Sequence, residues 1–275
     1  MELVLGTAQF GMDYGVTNSS GICSLETIKG ILDLAVSCGI TKLDTAVSYG
    51  KSEENLGSAG VTRFNVSSKI PYLEDYRLGD IEQYVSASLK RIGLSSLDIL
   101  YLHDDRNLQN PEILAELKSL KVAGNICRLG ASIYATDAPD VVLKEFDVVQ
   151  CQGNAFDYKY RSHINQSYTI YLRSIFLQGL LLADIDRLPD FLRHEKNLFV
   201  SWQKYCRKHG KSQLEMSLHN VMSYELDGYV IGASSVDELE QIILARESVR
   251  EMRDIPLFQY DNVNEYIIDP RRWNP

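Results

Sequence analysis

The chain has 275 residues, of which 45% are hydrophobic and 24% charged, and its formal net charge is −9. This is the composition of a globular protein, and the acidic balance argues against a nucleic-acid-binding or anionic-membrane surface, which would need a basic face. No apolar run is long enough to span a membrane, and MELVLGTAQ lacks the features of a signal peptide.

The five cysteines are scattered, odd in number and without a CxxC spacing. A disulfide framework would need paired cysteines, so we expect reduced thiols and a cytoplasmic location. We also expect a monomer or a weak homo-oligomer whose partner is a small molecule, with no nucleic acid and no membrane.

Short apolar runs alternate with longer amphipathic segments from one end of the chain to the other. The runs predict eight strands, at 3–6, 41–45, 64–69, 97–103, 127–132, 146–152, 169–176 and 228–234. The amphipathic segments predict helices at 24–38, 52–57, 80–92, 111–124, 188–209, 212–224 and 236–245. Pro111 at a helix start and Gly39, Gly93 and Gly124 just after helix ends support these boundaries.

Alternation of strands and helices predicts parallel strands with right-handed crossovers. Eight such repeats in this length favour an α/β protein with a closed (β/α)8 TIM barrel over an open doubly wound sheet. The GTAQFG after strand 1 has Ala at the second Gly position of GxGxxG, and no P-loop occurs. No linker divides the chain, so we predict a single domain over 1–275, with a tail at 246–275 that borders the active-site mouth.

Four polar residues follow three successive strands. Asp44 ends strand 2, Tyr49 lies in the loop after it, Lys69 ends strand 3 and His103 ends strand 4. Each alone is more often a solvated or capping residue. Because a barrel gathers its chemistry at the carboxyl ends of strands about 4.8 Å apart, we expect the four side chains to converge.

Together, these residue types suit proton transfer to a carbonyl oxygen. A Tyr is a weak acid with a pKa of about 10, which a nearby Lys ammonium lowers, while an Asp holds the Lys charged. A His can donate a hydrogen bond to an oxygen that gains negative charge. No acyl-transfer nucleophile accompanies them, and without HxH or a second strand-end His we expect no metal site.

LDTAVSYGKSEENLG at 43–57, SSK at 67–69 and LDILYLHD at 97–104 resemble the aldo-keto reductase family. The resemblance extends from LGTAQFG to IGASSVDELEQI, and the compact start resembles a bacterial branch often associated with sugar pathways. It implies an oxidoreductase that binds NADPH or NADH across the barrel mouth, independent of metal. It also implies a catalytic tetrad in which Tyr49 is the general acid, Lys69 tunes it, Asp44 supports Lys69 and His103 orients the carbonyl.

The same resemblance implies a set of cofactor-binding residues: Gly6, Thr7, Asp44, Ser132, Gln150, Arg173, Ser174, Phe176, Gln178, Gly232, Ser234, Ser235, Glu238 and Gln241. Two positions depart from the family's pattern. Ile133 replaces an Asn after Ser132, and Arg173 replaces an aromatic ring that stacks on the nicotinamide. A guanidinium plane can also stack on a ring. Ordinary strand-end capping is the alternative for Ser132 and Gln150.

The adenosine end lacks the basic residues that the family places around the 2′-phosphate of NADPH. Glu238 would repel that phosphate and could accept a hydrogen bond from a free 2′-hydroxyl. We therefore hypothesise that NADH binds at least as well as NADPH, unless a base from elsewhere, such as Arg246, restores NADPH binding. The charged KSEENLG, in turn, is expected to begin a surface helix.

The substrate is expected to be a polar carbonyl compound, with a sugar derivative as one possibility. Candidate pocket residues are Tyr158, Tyr160, Arg161, His163, Tyr260, Tyr266, Arg271, Arg272 and Trp273, although packing on the barrel exterior is the alternative for each. Two other functions stay open. One is a cofactor-binding regulatory module with slow turnover, and the other is a non-redox enzyme whose IGASS segment holds a sugar phosphate.

Overall fold

A computed structural model describes residues 1–18, 20–134, 140–164, 166–224, 226–261 and 263–273, with the backbone alone at 140 and 141. Its strands close into a barrel in chain order, and every neighbouring pair is parallel. The predicted (β/α)8 fold is therefore confirmed. The strands are β1 Glu2–Gly6, β2 Lys42–Asp44, β3 Asn65–Ile70, β4 Leu97–Leu102, β5 Ile126–Ile133, β6 Val148–Gln152, β7 Thr169–Arg173 and β8 Gly228–Gly232.

Helices connect the strands and cover the barrel. They are α1 Leu25–Ser37, α2 Ser52–Ala59, α3 Asp80–Ile92, α4 Pro111–Val122, α5 Asp140–Leu143, α6 Lys196–Lys208, α7 Gln213–Met222, α8 Val236–Val249 and, in the tail, α9 Glu265–Ile268. Within the described residues, no helix is long and apolar enough to cross a membrane. All five cysteines are free thiols.

Alternation along the strands separates the barrel interior from the helical layer. On β1, Val4 packs in an interior cluster with side chains of β4, β6 and β7, such as Ile99, Val148 and Tyr171. Its neighbours Leu3 and Leu5 belong to the larger apolar cluster that the helices share. Successive side chains of a strand point to opposite faces, which produces this two-layer core.

Two predicted elements are wrong in extent. Strand 7 ends at Arg173 instead of 176, because Ser174 adopts a left-handed conformation with φ of 60° that turns the chain. The predicted helix at 188–209 is divided: a 3₁₀ segment, Asp190–Glu195, follows the extended Pro189, and only α6 is α-helical. The remaining boundaries shift by a few residues, as is usual at element ends.

The prediction of a surface helix at KSEENLG is wrong for two of its residues. Ser52 and Glu53 are buried in the first turn of α2. The Glu53 carboxylate accepts hydrogen bonds from Ser68 Oγ at 2.6 Å and from Arg91 Nε at 2.7 Å. These contacts attach α2 to β3 and α3, so a segment that looks solvated in the sequence anchors the loop before it.

We predict that Glu53→Ala destabilises the fold by about 2 kcal/mol or more, because it leaves a largely buried Arg91 and the Ser68 hydroxyl without their acceptor. The matched control is Glu54→Ala, since Glu54 is exposed on the same helix turn, and it should change stability by less than about 0.5 kcal/mol. Urea unfolding of both variants measures the difference; equal losses would contradict the anchoring role.

Candidate active site

A cavity of about 850 Å³ opens at the carboxyl ends of the strands. Its wall includes most of the residues that the sequence predicted for the site: Gly6, Thr7, Asp44, Tyr49, His103, Gln150, Arg173, Ser174, Phe176, Gln178, Gly232, Ser234, Glu238 and Gln241. Lys69, Ser132 and Ser235 lie behind this wall. The carboxyl-end rule for barrels therefore locates the cavity correctly.

A buried ion pair lies at the base of the cavity. The Lys69 ammonium, which is fully buried, donates to Asp44 Oδ1 and also to the carbonyl oxygen of Thr45 at 3.0 Å. The second carboxylate oxygen of Asp44 accepts from Gln150 Nε2 at 2.8 Å. This satisfies both oxygens of a buried carboxylate, as its desolvation requires.

Tyr49 and His103 border the cavity above this pair. Lys69 Nζ lies 5.0 Å from the centroid of the Tyr49 ring. The Tyr49 and His103 rings meet edge-to-face with centroids 5.8 Å apart, and His103 Nδ1 lies 3.2 Å from Ser48 Oγ. The four side chains that the sequence predicted to converge are thus brought together on β2, β3 and β4.

Burial determines the protonation of these groups. Burial, together with the nearby Asp44 carboxylate, raises the pKa of Tyr49, although the Arg173 charge acts in the opposite direction. Burial also lowers the pKa of Lys69, against the attraction of Asp44. Burial, reinforced by the charges of Lys69 and Arg173, lowers the pKa of His103 to about 3. At neutral pH Tyr49 is therefore a phenol and His103 a neutral imidazole.

Hydroxyl groups hold the loop that carries Tyr49. Thr7 Oγ1 donates to the carbonyl oxygen of Asp44 at 3.1 Å, and Ser52 Oγ donates to that of Thr7 at 2.8 Å. Thr45 Oγ1 in turn donates to Ser52 Oγ at 3.0 Å. Gly11 is required beside them, since a Cβ there would lie 2.0 Å from the carbonyl oxygen of Tyr49.

Two buried polar atoms of β5 and β6 have no hydrogen-bond partner among the described residues: Ser132 Oγ and Gln150 Oε1. Ser132 and Gln150 are direct neighbours in the β5–β6 register. Strand-end capping does not account for them, because a capping atom would have a partner. A carboxamide group has a carbonyl oxygen that accepts and an NH2 group that donates. The unpaired Ser132 hydroxyl can donate to the first, and the unpaired amide oxygen of Gln150 can accept from the second.

Arg173 lies on the cavity wall opposite β3, four strands away around the barrel. Its guanidinium carbon lies 4.6 Å from the centroid of the Tyr134 ring. Arg271 of the tail contacts the same ring at 3.5 Å. A tyrosine of this chain therefore contacts the guanidinium of Arg173, and stacking of Arg173 on a nicotinamide stays a prediction.

Three aromatic residues of the cavity were not predicted from the sequence: Tyr14, Tyr72 and Tyr134. Tyr134 directly follows β5, so the strand-end rule that found His103 could have found it. Tyr14 lies in an irregular segment after β1, where no periodic pattern marks it. Burial raises the pKa of Tyr14 to about 12.

At the adenosine end, Glu238 makes a specific contact. Its Oε2 accepts from the backbone N–H of Ser234 at 2.7 Å. Ser235 caps α8 by accepting from the Glu238 N–H at 3.1 Å, so its side chain serves the helix and not the cavity. Arg246 donates to the carbonyl oxygen of Met1 at 2.9 Å, at the opposite end of the barrel. At that position Arg246 does not line the cavity, so it is not placed to pair with the 2′-phosphate of NADPH there.

Most predicted substrate-pocket residues lie away from the cavity. Tyr158 donates to the carbonyl oxygen of Phe258, and Arg161 stacks on Tyr158 and Tyr224. Trp273 packs on Phe191 with ring centroids 5.8 Å apart. Of the candidate pocket residues, Arg271 lines the cavity. The others lie outside it, in agreement with packing on the barrel exterior: Tyr158, Tyr160, Arg161, His163, Tyr260, Tyr266, Arg272 and Trp273.

Across the part of the chain that the structure describes, no group of three or more His, Cys, Asp or Glu side chains is arranged to hold a metal ion.

Comparison with known proteins gives consistent matches. The model of the Aldo/keto reductase family matches residues 2–255. D-arabinose 1-dehydrogenase of Saccharomyces cerevisiae is 33% identical, over 86% of this chain and 80% of its own length. Norsolorinic acid reductase B of Dothistroma septosporum is 31% identical, over 47% of this chain but only 38% of its own length. A solved structure, an aldo-keto reductase from Pseudomonas aeruginosa, has a TM-score of 0.70 at 23% identity, covering 90% of both chains, and supports the fold.

We predict that His103 makes the fold sensitive to acid. Below a pH of about 6.5 the unfolded chain protonates this ring, whereas the folded chain does so only near pH 3. The free energy of unfolding therefore falls as the pH drops through this window. Between pH 7 and about pH 4.5, wild type should lose about 2 kcal/mol more than His103→Gln in urea unfolding.

The control for this experiment is His194→Gln, at a side chain that is 59% exposed. Its loss of stability on acidification should follow that of the wild type. An equal loss in His103→Gln and wild type would show that His103 is not buried as a neutral ring.

Proposed function

Because the chain belongs to the aldo-keto reductase family, a family of carbonyl-reducing oxidoreductases, we propose that it reduces an aldehyde or ketone to an alcohol with NAD(P)H. The observation that carries this proposal is the Tyr49 phenol on the cavity wall, above the buried Lys69–Asp44 pair and beside a neutral His103. The sugar named in D-arabinose 1-dehydrogenase supports a polar carbonyl substrate.

The reaction adds a hydride to the carbonyl carbon and a proton to its oxygen. A bound reduced nicotinamide supplies the hydride. Tyr49 supplies the proton, since its raised pKa keeps the phenol protonated until an alkoxide forms at the cavity. The Lys69 ammonium, 5.0 Å from the Tyr49 ring, then stabilises the phenolate that remains. Asp44 keeps Lys69 in place and compensates its charge before the reaction.

His103 orients the carbonyl oxygen in this proposal. Because its pKa lies near 3, the ring is neutral and has one N–H to donate. Ser48 Oγ lies 3.2 Å from Nδ1, and if this hydroxyl donates to Nδ1, the ring carries its proton at Nε2, where it would donate to the substrate. A neutral donor polarises the carbonyl without competing with Tyr49 for delivery of the proton.

The open polar atoms of β5 and β6 support a nicotinamide cofactor. The Ser132 hydroxyl would donate to the carboxamide oxygen, and Gln150 Oε1 would accept from its nitrogen. Gln150 also donates to Asp44, so the cofactor site and the proton-delivery site share one hydrogen-bond network. The family generally uses NAD(P)H, which agrees with this assignment.

Glu238 supports the proposal that NADH binds at least as well as NADPH. Its carboxylate already takes the Ser234 N–H at the start of α8, where a 2′-phosphate would otherwise find a donor. A free 2′-hydroxyl could instead donate to Glu238. The same contact leaves the IGASS segment poorly suited to hold a sugar phosphate, so it does not favour the non-redox alternative.

We predict that Tyr49→Phe lowers kcat by at least about a hundredfold, because general acid catalysis typically contributes that much or more. The dissociation constant of NADH should stay within about threefold of the wild-type value. Both are measured with a carbonyl substrate chosen from a panel of aldehydes, ketones and ketosugars.

Tyr101→Phe is the matched control for this loss. The Tyr101 ring lies 5.8 Å from Lys69 Nζ, a distance similar to that of Tyr49, but it is buried in the barrel interior outside the cavity. This variant should retain wild-type turnover. Wild-type turnover in Tyr49→Phe itself would remove Tyr49 from the mechanism.

We predict that wild type binds NADH at least as tightly as NADPH, and that Glu238→Gln strengthens NADPH binding by about fivefold to tenfold, or about 1 kcal/mol. The control is Glu240→Gln, which changes the charge equally at an exposed position of α8. Quenching of tryptophan fluorescence measures both dissociation constants; a tenfold preference of wild type for NADPH would contradict the role of Glu238.

A further inference from the structure

Arg173 carries a charge that no acidic side chain balances among the described residues. Burial raises the pKa of Asp157 against the charge of Arg173, but its carboxyl group accepts from Gln152 Nε2 at 3.2 Å and from the Lys159 N–H at 3.1 Å instead. Other carboxylates of the barrel have cationic partners of their own. Asp44 pairs with Lys69, Asp104 with Arg106 at 2.7 Å, and Asp269 with Arg271 at 2.9 Å. Arg173 instead donates only to the carbonyl oxygen of Ile133, at 3.2 Å, and to Ser174 Oγ, at 3.4 Å. The cavity wall is therefore locally cationic in a chain whose net charge is −9.

The guanidinium of Arg173 also keeps unused hydrogen-bonding capacity. An arginine has five N–H donors in a fork that matches a carboxylate or phosphate. In Arg173 two of these donations reach acceptors within the described residues, and Nε is buried without a partner. A buried donor that lacks an acceptor destabilises the protein. An anionic ligand that accepts hydrogen bonds from Arg173 would remove this cost.

The position of this guanidinium is fixed before any ligand binds. Its central carbon lies 4.6 Å from the centroid of the Tyr134 ring, and the guanidinium carbon of Arg271 lies 3.5 Å from the same centroid. Asp269 holds Arg271 through two hydrogen bonds of 2.9 Å. A stacked and preorganised arginine loses little further entropy when it binds a ligand.

Arg173 faces the same space as the proton-delivery residues. Its charge lowers the pKa values of Tyr49, His103 and Lys69. Because Tyr49 follows β2 and Arg173 ends β7, three strands away around the barrel, a ligand that contacts both must span the mouth between them. One end of such a ligand would meet the proton donor and the other end the cation.

We propose that Arg173, held by Tyr134, selects carbonyl substrates that carry a carboxylate or phosphate group and binds that anion while the carbonyl lies at Tyr49. This rests on the proposed carbonyl reduction. This role differs from the one expected for Arg173 in the sequence, stacking on the nicotinamide; the aromatic ring next to the guanidinium in the structure is that of Tyr134.

The test compares 4-carboxybenzaldehyde with 4-formylbenzamide, two aldehydes of nearly the same shape of which only the first is charged. Wild type should have a kcat/KM at least about tenfold higher for the carboxylate. Arg173→Leu should lower that value by about tenfold to a hundredfold, mainly through KM, and should reduce the carboxylate-to-amide ratio of kcat/KM by about tenfold or more. Arg173→Lys, which keeps the charge, should recover part of the loss.

Arg193→Leu controls for the loss of one positive charge, since its side chain is 71% exposed and lies outside the cavity. It should leave both aldehydes at wild-type rates. Glyceraldehyde 3-phosphate against glyceraldehyde then distinguishes a phosphate from a carboxylate as the preferred anion.

Two results would overturn the inference. One is an equal loss for both aldehydes in Arg173→Leu, and the other is a large rise in the NADH dissociation constant, which would make Arg173 a cofactor residue. Calorimetric titration with 4-carbamoylbenzoate, which has a carboxylate but no reducible carbonyl, separates the two proposals. If wild type binds this compound and Arg173→Leu does not, the anion site is supported even if no aldehyde is reduced. If wild type does not bind it, the anion site is refuted. Carbonyl reduction is then judged separately, by turnover of 4-formylbenzamide.

Discussion

The buried ion pair of Lys69 and Asp44 is the interaction on which the rest of the site depends. A fully buried ammonium is strongly destabilising unless a carboxylate and further hydrogen bonds surround it. Here Asp44 provides the carboxylate, the Thr45 carbonyl provides a second acceptor, and Gln150 satisfies the remaining oxygen of Asp44. These contacts join β2, β3 and β6 at the depth where the cavity begins, so they fix the barrel's carboxyl end and the surroundings of Tyr49 at the same time.

A second set of buried hydrogen bonds holds the loops around this ion pair in place. Thr7, Thr45 and Ser52 form a chain of hydroxyl hydrogen bonds beneath the Tyr49 loop, and Glu53 ties the first turn of α2 to β3 and α3. Polar groups in a core are tolerated only when each has a partner. Six buried polar side-chain atoms among the described residues have no partner. Gln150 Oε1 and Arg173 Nε belong to residues of the cavity wall, and Ser132 Oγ belongs to the residue beside Gln150 in the β5–β6 register, so a ligand could complete these three. The other three are Gln152 Oε1, Tyr160 Oη and Arg246 Nε, whose residues do not line the cavity.

Much of the barrel fold and of the active site could be predicted from single residues and their order in the sequence. The eight strands follow from short apolar runs, and Asp44, Tyr49, Lys69 and His103 follow from the rule that chemistry gathers at strand ends. Less could be predicted of contacts between residues far apart in the chain. Arg173 was expected to stack on a cofactor ring, but the fold places Tyr134 against it, and Arg246 proves to lie at the opposite end of the barrel.

The sequence by itself determined the period of each element, the parallel order of the strands and the end of the barrel at which polar residues collect, because these depend on neighbours along the chain. Only the tertiary structure decided which polar residues are buried and what they contact. The sequence predicts Ser52 and Glu53 at the surface, but the structure buries them. It also suggests Tyr158 and Tyr160 as pocket residues, but both lie outside the cavity. Burial, partners and protonation arise from the packing of distant segments, and no local pattern encodes them.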